Sequence, residues 1–375
     1  MSAIYIHIPY CTRKCSYCNF FIKTIINDDK DLVEAIINEL FIRKDYLETQ
    51  KINSIYLGGG TPSILKDSLL EKIFIAINHN YILSENTEVT IECNPEDITK
   101  IKLENFKKLG INRISIGVQS FNNHDLIFLD RSHNAEQAIN AIELCKEMNF
   151  ENISIDLMYS LPNQNLSNWK ENLNTALNLD IQHISCYSLT VKEKTKLQKQ
   201  IKQNKVVVAD DITSSEHFEI LIEKCKSQGF SQYEISNFCK NNLYSKHNVS
   251  YWGNNSYLGI GPSAHSYNKK SRQWNVSNNR LYIHNLKKNK LIFETEQLSN
   301  KDLYNEYIMK TLRTKWGSNI NYIEKTHGIK FVKHLNKETN KWRESGHLYN
   351  DKNKILLTNK GKFISDSVIS DLFYT

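Results

Sequence analysis

Short runs of β-branched and other apolar residues alternate, through the first half of the chain, with longer stretches whose apolar positions recur every three to four residues. The short runs predict strands at 4–8, 54–57, 88–92, 113–117, 152–156 and 183–188, and the longer ones predict helices at 31–46, 67–78, 98–109, 135–148 and 166–177. Alternation of this kind places each helix in a crossover between parallel strands. Six such units over about 190 residues fit an α/β fold, a partial (β/α)6 barrel, in which chemistry gathers at the carboxyl ends of the strands. The pattern then changes. Residues 1–195 read as the barrel, 196–297 as a central α+β extension, and 298–375 as a C-terminal winged-helix-like domain. The last reading rests on helical patterns at 302–313, 320–327 and 332–345, a hairpin pattern at 348–357 and a final helix from Gly361.

The residues with chemical capacity fall at the predicted strand ends. Cys11, Cys15 and Cys18 follow the first strand, Gly58-Gly59-Gly60-Thr61-Pro62 the second and Glu92-Cys93-Asn94-Pro95 the third; Gln119 lies just past the fourth and Asp156 closes the fifth. The C-x3-C-x2-C spacing is the strongest signal. Three thiolates suit a [4Fe-4S] cubane with one iron left open, and the exchangeable ligand that goes with this spacing is S-adenosylmethionine (SAM), cleaved by an electron from the cluster. A structural zinc site would want four closed ligands, and no second C-x2-C or C-x2-H pair follows at the usual distance. An odd, clustered set of cysteines in a chain without a secretion signal does not make a disulfide framework. The other five cysteines are scattered and read as small apolar core residues.

The three glycines let main-chain amides approach a ligand without side-chain obstruction, although a tight turn alone would use them too. They lack the GKS or GKT ending of a phosphate loop. Glu92, Gln119, Arg131 and Asp156 suit ribose hydroxyls, a methionyl carboxylate and an adenine edge, while each taken singly serves equally well as a capping or loop residue.

Composition narrows the setting. The chain of 375 residues is 40% hydrophobic and long enough for a large core. No stretch approaches the length of a membrane span, and the start lacks a basic region followed by an apolar run, so a cytoplasmic protein is expected. Lys and Arg exceed Asp and Glu by 48 to 41, but the excess is dispersed, and the basic stretch 330–343 carries glutamates at the spacing of a solvated helical face. No nucleic-acid partner is expected; the tail is expected to lid the barrel or to meet a protein.

Ile6-His7-Ile8-Pro9-Tyr10-Cys11, Tyr56-Leu57-Gly58-Gly59-Gly60-Thr61-Pro62-Ser63, Ile91-Glu92-Cys93-Asn94-Pro95-Glu96, Arg113-Ile114-Ser115-Ile116-Gly117-Val118-Gln119-Ser120-Phe121 and Asp156-Leu157-Met158-Tyr159-Ser160-Leu161-Pro162 together resemble the radical-SAM family of oxygen-independent coproporphyrinogen III oxidases and their haem-chaperone relatives. The resemblance extends through residue 267 at least. It implies cluster ligation by Cys11, Cys15 and Cys18. It likewise implies SAM contacts from Tyr5, Tyr17, Gly59, Gly60, Thr61, Glu92, Gln119, Arg131, Asp156 and Ser188. The decarboxylating oxidases resemble C-x3-C-x2-C-x-C and carry a long segment before the cluster; here Asn19 and Phe20 follow Cys18, and Cys11 stands close to the first residue. Both departures match the chaperone branch, which implies haem as ligand and haem-acceptor proteins, such as membrane-associated respiratory enzymes, as partners. The alternative is the oxidative decarboxylase itself.

Lys246-His247-Asn248-Val249-Ser250-Tyr251-Trp252 resembles the H-N-x-x-Y-W signature of that branch. Haem asks for an axial donor and apolar or aromatic walls, so the resemblance makes His247 the axial candidate and His265 the reserve. The residues alone favour a hydrogen-bonded histidine packed among aromatics.

Overall fold

A computed structural model of the chain describes residues 2–375. Strands β1 (Ser2–Ile8), β2 (Lys51–Gly59), β3 (Ile82–Cys93), β4 (Arg113–Gln119), β5 (Ile153–Tyr159) and β6 (His183–Ser188) lie side by side in chain order, each pair parallel. Helices α1 (Asp29–Ile42), α2 (Asp67–Asn80), α3 (Lys100–Lys108), α4 (Asn123–Phe128), α5 (Ala135–Glu147) and α6 (Leu166–Asn178) fill the crossovers. The expected partial (β/α)6 barrel is therefore present.

Each barrel strand alternates strictly. Ile4, Ile6, Ile55, Leu57, Ile91, Ile114, Ile155 and Ile184 point to the helices and are wholly buried in one core. Each contributes about 1.5–3 kcal/mol by leaving water. The intervening positions, among them Tyr5, Tyr56, Glu92, Arg113, Asp156 and His183, face the lumen. The barrel is thus apolar outside, against its helices, and polar within.

The central region consists of α7 (Lys196–Lys202), α8 (Asp211–Ser227), β7 (Ser231–Gln232), β8 (Asn237–Cys239), α9 (Lys246–Trp252), β9 (Ser256–Ile260), β10 (His265–Tyr267), β11 (Ser271–Asn275), α10 (Asn279–Leu286) and β12 (Phe293–Gln297). Its strands continue the barrel sheet at both edges. β9 joins β1 in parallel, with β10 to β12 beyond it, while β8 and then β7 extend β6 antiparallel, giving a 12-stranded sheet. Both open edges of the partial barrel are covered in this way, which removes two rows of unpaired main-chain groups. Helix α9 closes the amino-terminal end of the barrel: the main-chain N–H groups of Lys246 and His247 donate to the Glu88 carboxylate at 2.9 and 3.0 Å.

The tail is built of α11 (Asn300–Leu312), β13 (Ser318–Asn319), α12 (Ile320–His327), α13 (Ile329–Glu344), β14 (Leu348–Asp351), β15 (Lys354–Leu357), α14 (Asn359–Phe363) and α15 (Ser365–Asp371), around its own core of Tyr304, Ile308, Phe331 and Leu335. The predicted hairpin forms as β14–β15, and β13 adds a third strand. Contrary to the expectation of a lid, the tail docks at the closed end. Lys315 N–H donates to the Tyr233 carbonyl at 3.0 Å, Lys362 Nζ to Gln232 Oε1 at 2.8 Å, Arg272 pairs with Glu306, and α11 packs on α9. Among the described residues no helix is long and apolar enough to cross a membrane.

Candidate functional site

The loop after β1 carries Cys11, Cys15 and Cys18. Its ends are pinned by main-chain bonds, Cys11 N–H to the Lys23 carbonyl at 3.1 Å and Lys23 N–H to the Pro9 carbonyl at 2.6 Å. All three thiols are free and partly exposed, and they line a cavity of about 430 Å³ at the barrel mouth. No three His, Cys, Asp or Glu side chains among the described residues converge on a point where one metal ion would sit. A cubane does not require that, since each thiolate binds a different iron.

Two sulfurs are braced from across the barrel. Thr61 Oγ1 donates to Cys11 Sγ and Arg131 Nη1 to Cys15 Sγ, both at 3.4 Å. Asn94 joins the two braces: its Nδ2 donates to Thr61 Oγ1 at 3.3 Å, and its Oδ1 accepts from Arg131 Nη2 at 2.7 Å. Arg131 is further fixed by the Gly117 carbonyl at 2.6 Å. Tyr17 walls the same cavity beside Arg131.

The glycines work differently from the sequence expectation. The amides of the turn are taken within the protein: Gly59 N–H donates to Glu92 Oε2 at 3.1 Å, Gly60 N–H to the Ile8 carbonyl at 2.9 Å and the following Thr61 N–H to the Tyr10 carbonyl at 2.6 Å. What glycine supplies is room. A Cβ on Gly60 would lie 2.4 Å from the Tyr10 carbonyl oxygen and 3.0 Å from Cys11 Sγ, and Gly59 holds φ +115° against the His7 ring.

Glu92, Gln119, Asp156 and Ser188 also line the mouth cavity, so the structure brings them together with the cysteines. Gln119 sits at φ +68°, a strained left-handed backbone that turns the chain at the end of β4. Glu92 accepts from Tyr56 Oη at 2.8 Å, yet burial, reinforced by the Asp156 charge, pushes its carboxyl up to about 7. Burial likewise raises Asp156 to about 6.

Beneath the mouth lies a second cavity of about 340 Å³, in the lumen, with Glu92, Ser115, Asp156 and Tyr187 at the boundary between the two. Tyr5 and His247 line the lower cavity and not the mouth. His247 is 1% exposed and both its ring nitrogens are engaged, Nδ1 with Ser54 Oγ at 3.0 Å and Nε2 with Tyr251 Oη at 2.9 Å. Its ring stacks on Tyr56, and burial, with Arg113 adding to it, lowers the imidazole to about 3. The free donor expected of an axial ligand is absent at this residue; the geometry is that of a hydrogen-bonded histidine among aromatics. His265, at the start of β10, has an exposed ring stacked on Trp274 with centroids 6.0 Å apart.

The Radical SAM superfamily profile matches residues 5–176. The chain is 32% identical over 373 residues to "Heme chaperone HemW" of Bacillus subtilis, covering 98% of each chain, and 32% identical over 367 residues to that of Lactococcus lactis, covering 98% of this chain and 96% of the other. The chain belongs to the HemW heme chaperone family. This HemW relative shares its fold with coproporphyrinogen III oxidase (HemN) from Escherichia coli, a radical SAM enzyme, at a TM-score of 0.86 over 99% of this chain and 90% of the other, with 19% identity.

In this HemW-family chain the sequence reading missed Asn94 as the link between the braces, and Arg113, Ser115 and His183 in the lumen. A signal existed. Polar residues occupy alternate positions of β4 to β6, which a barrel with a polar interior demands and a fully apolar core does not.

Proposed function

We propose that the chain holds a [4Fe-4S] cluster on Cys11, Cys15 and Cys18, binds SAM in the mouth cavity, and carries haem to acceptor proteins, respiratory enzymes among them, in the cytoplasm. The observation that carries this reading is the convergence on one 430 Å³ cavity of three free thiols with Glu92, Gln119, Arg131 and Asp156. The residues fit the groups assigned to them. Three sulfurs leave one iron of a cubane open, Thr61 and Arg131 hold two of those sulfurs in place, and the absence of a Cβ at Gly60 leaves the Cys11 thiol its space. When bound, the cluster supplies an electron to the sulfonium of SAM.

The chain's own residues then position SAM. Gln119 and Arg131 are donors suited to the methionyl carboxylate, while Glu92 and Asp156 are acceptors for ribose hydroxyls. Tyr5 reaches SAM from the lumen side; Tyr17, Gly59, Gly60, Thr61 and Ser188 complete the wall. Haem would be held by His247, at the cost of its bond to Tyr251, or by the exposed ring of His265. The tail, docked at the closed end, leaves the mouth open to an acceptor.

Anoxic reconstitution tests this. With SAM and haem, the chaperone reading predicts a saturable Soret change that His247→Ala or His265→Ala weakens, and no porphyrin product from coproporphyrinogen III. Formation of a vinyl-bearing product would assign the chain to the decarboxylases instead.

A further inference from the structure

Three arginines reach inside the barrel or its wall, and the terminal nitrogens of two of them are matched. Arg43 pairs with Glu39 at 3.2 Å and donates to Gln273 Oε1 at 2.7 Å. Arg131 is bound by Asn94, the Gly117 carbonyl and Cys15. Arg113 differs. It is 2% exposed and lines the 340 Å³ lumen cavity; its Nε, like that of Arg131, is buried without a hydrogen-bond partner, but none of the fixed bonds that hold the terminal nitrogens of Arg131 has a counterpart here among the described residues. Among the described residues no carboxylate comes within ion-pair distance of it, although Glu92 and Asp156 border the same space. A buried guanidinium left alone is costly, and proteins keep such a group where an anion completes it.

The lumen is shaped for that anion. Ser115 and Ser185 line it and bring hydroxyls, that of Ser185 shared with Asp156, while the Asn237 amide is spent on Glu234. At about 30 Å³ per water the space holds roughly ten, enough for a small acid group and its shell. The planar guanidinium fork matches a planar, two-oxygen acceptor. Two acids at the upper boundary disfavour a dianion such as phosphate and leave a monoanion as the better guest.

We propose that the lumen beneath the SAM cavity is a carboxylate-binding site clamped by Arg113. The carboxylate belongs either to a free short-chain acid or to a propionate arm of a tetrapyrrole, the second source resting on the haem reading above. A ligand reaching this site touches Glu92 and Asp156 on its way, so the two cavities act on one another.

The test is titration of the full-length reconstituted chain with sodium propionate, with haemin and with haemin dimethyl ester, followed by calorimetry and thermal shift, in wild type, Arg113→Met and Arg113→Lys. If a free acid is the ligand, propionate raises the melting temperature of wild type but not of Arg113→Met, and haemin and its diester bind alike. If a tetrapyrrole arm is the ligand, haemin binds wild type at least tenfold more tightly than the diester, and the gap closes in Arg113→Met. Arg113→Lys, which keeps the charge and loses the fork, falls between the two and stands in should Arg113→Met not fold. Identical responses of wild type and both variants to propionate, and to haemin against its ester, overturn the site. Should haemin fail to bind wild type at all, the haem reading falls, and the propionate titration alone decides the lumen site.

Discussion

Arg131 and Cys15 stand 116 residues apart in the chain and meet with Nη1 3.4 Å from Sγ, tying α4's exit loop to the cysteine loop. The contact is one end of a relay through Asn94 and Thr61 that ends on Cys11. Supporting contacts of this kind orient metal ligands and set how firmly they hold.

Arg131→Met therefore loosens the cluster. In reconstituted protein, iron should pass to a ferrous chelator ~10-fold faster than in wild type, the lower end of the effect expected for loss of a supporting partner. Arg131→Lys should lie between. Release at the wild-type rate in both would show that the contact does not hold the ligand loop.

Glu92 and His247 should bend the stability–pH curve in opposite directions. Burial raises Glu92 from 4.5 to about 7, so the folded state binds its proton more tightly than the unfolded chain. Stability from this group is complete below pH 4.5 and is lost as pH rises to about 7, a change of about 3 kcal/mol. Urea denaturation of Glu92→Gln across this range should show that decline removed. A decline of the same size in the variant would place the titrating group elsewhere.

His247 has the reverse sign. Its imidazole is lowered from 6.5 to about 3 by burial, so protons favour the unfolded chain, and its contribution, present above pH 6.5, is lost as pH falls towards 3. His247→Phe should flatten the acid limb. It also strands the hydroxyls of Ser54 and Tyr251, which costs about 2–4 kcal/mol at pH 7. Stability equal to wild type would mean that neither bond is formed.

The barrel was legible because each strand is short, β-branched and followed by an amphipathic helix, and because the cysteines, the glycines, Glu92, Gln119 and Asp156 all lie where such strands end. Boundaries were less so: β3 starts at Ile82, where Ile82 and Leu83 pair with Lys51 and Ile52 before the loop-like Ser84-Glu85-Asn86 interrupts the register and pairing resumes at Glu88. The shortest central strands were invisible because two or three residues, as in β7 and β8, show no period of their own: β8 forms only against the edge of β6, and β7 only against β8. Arg113 opens a strand with Ile-Ser-Ile and looks like a solvent-facing end; only the closure of the barrel turns it inward. The hydrogen bonds of His247 were only half legible: Tyr251 lies four residues on in the same helix α9, whereas Ser54 meets the ring only when α9 caps the base.

The most direct measurement is iron and acid-labile sulfide analysis of the anaerobically reconstituted chain, with electron paramagnetic resonance of the reduced cluster before and after SAM. Wild type should hold about four of each per chain and change its signal when SAM binds. The triple variant Cys11→Ser, Cys15→Ser, Cys18→Ser should hold neither. Wild-type protein without sulfide, or a reduced cluster whose spectrum ignores SAM, would contradict the account.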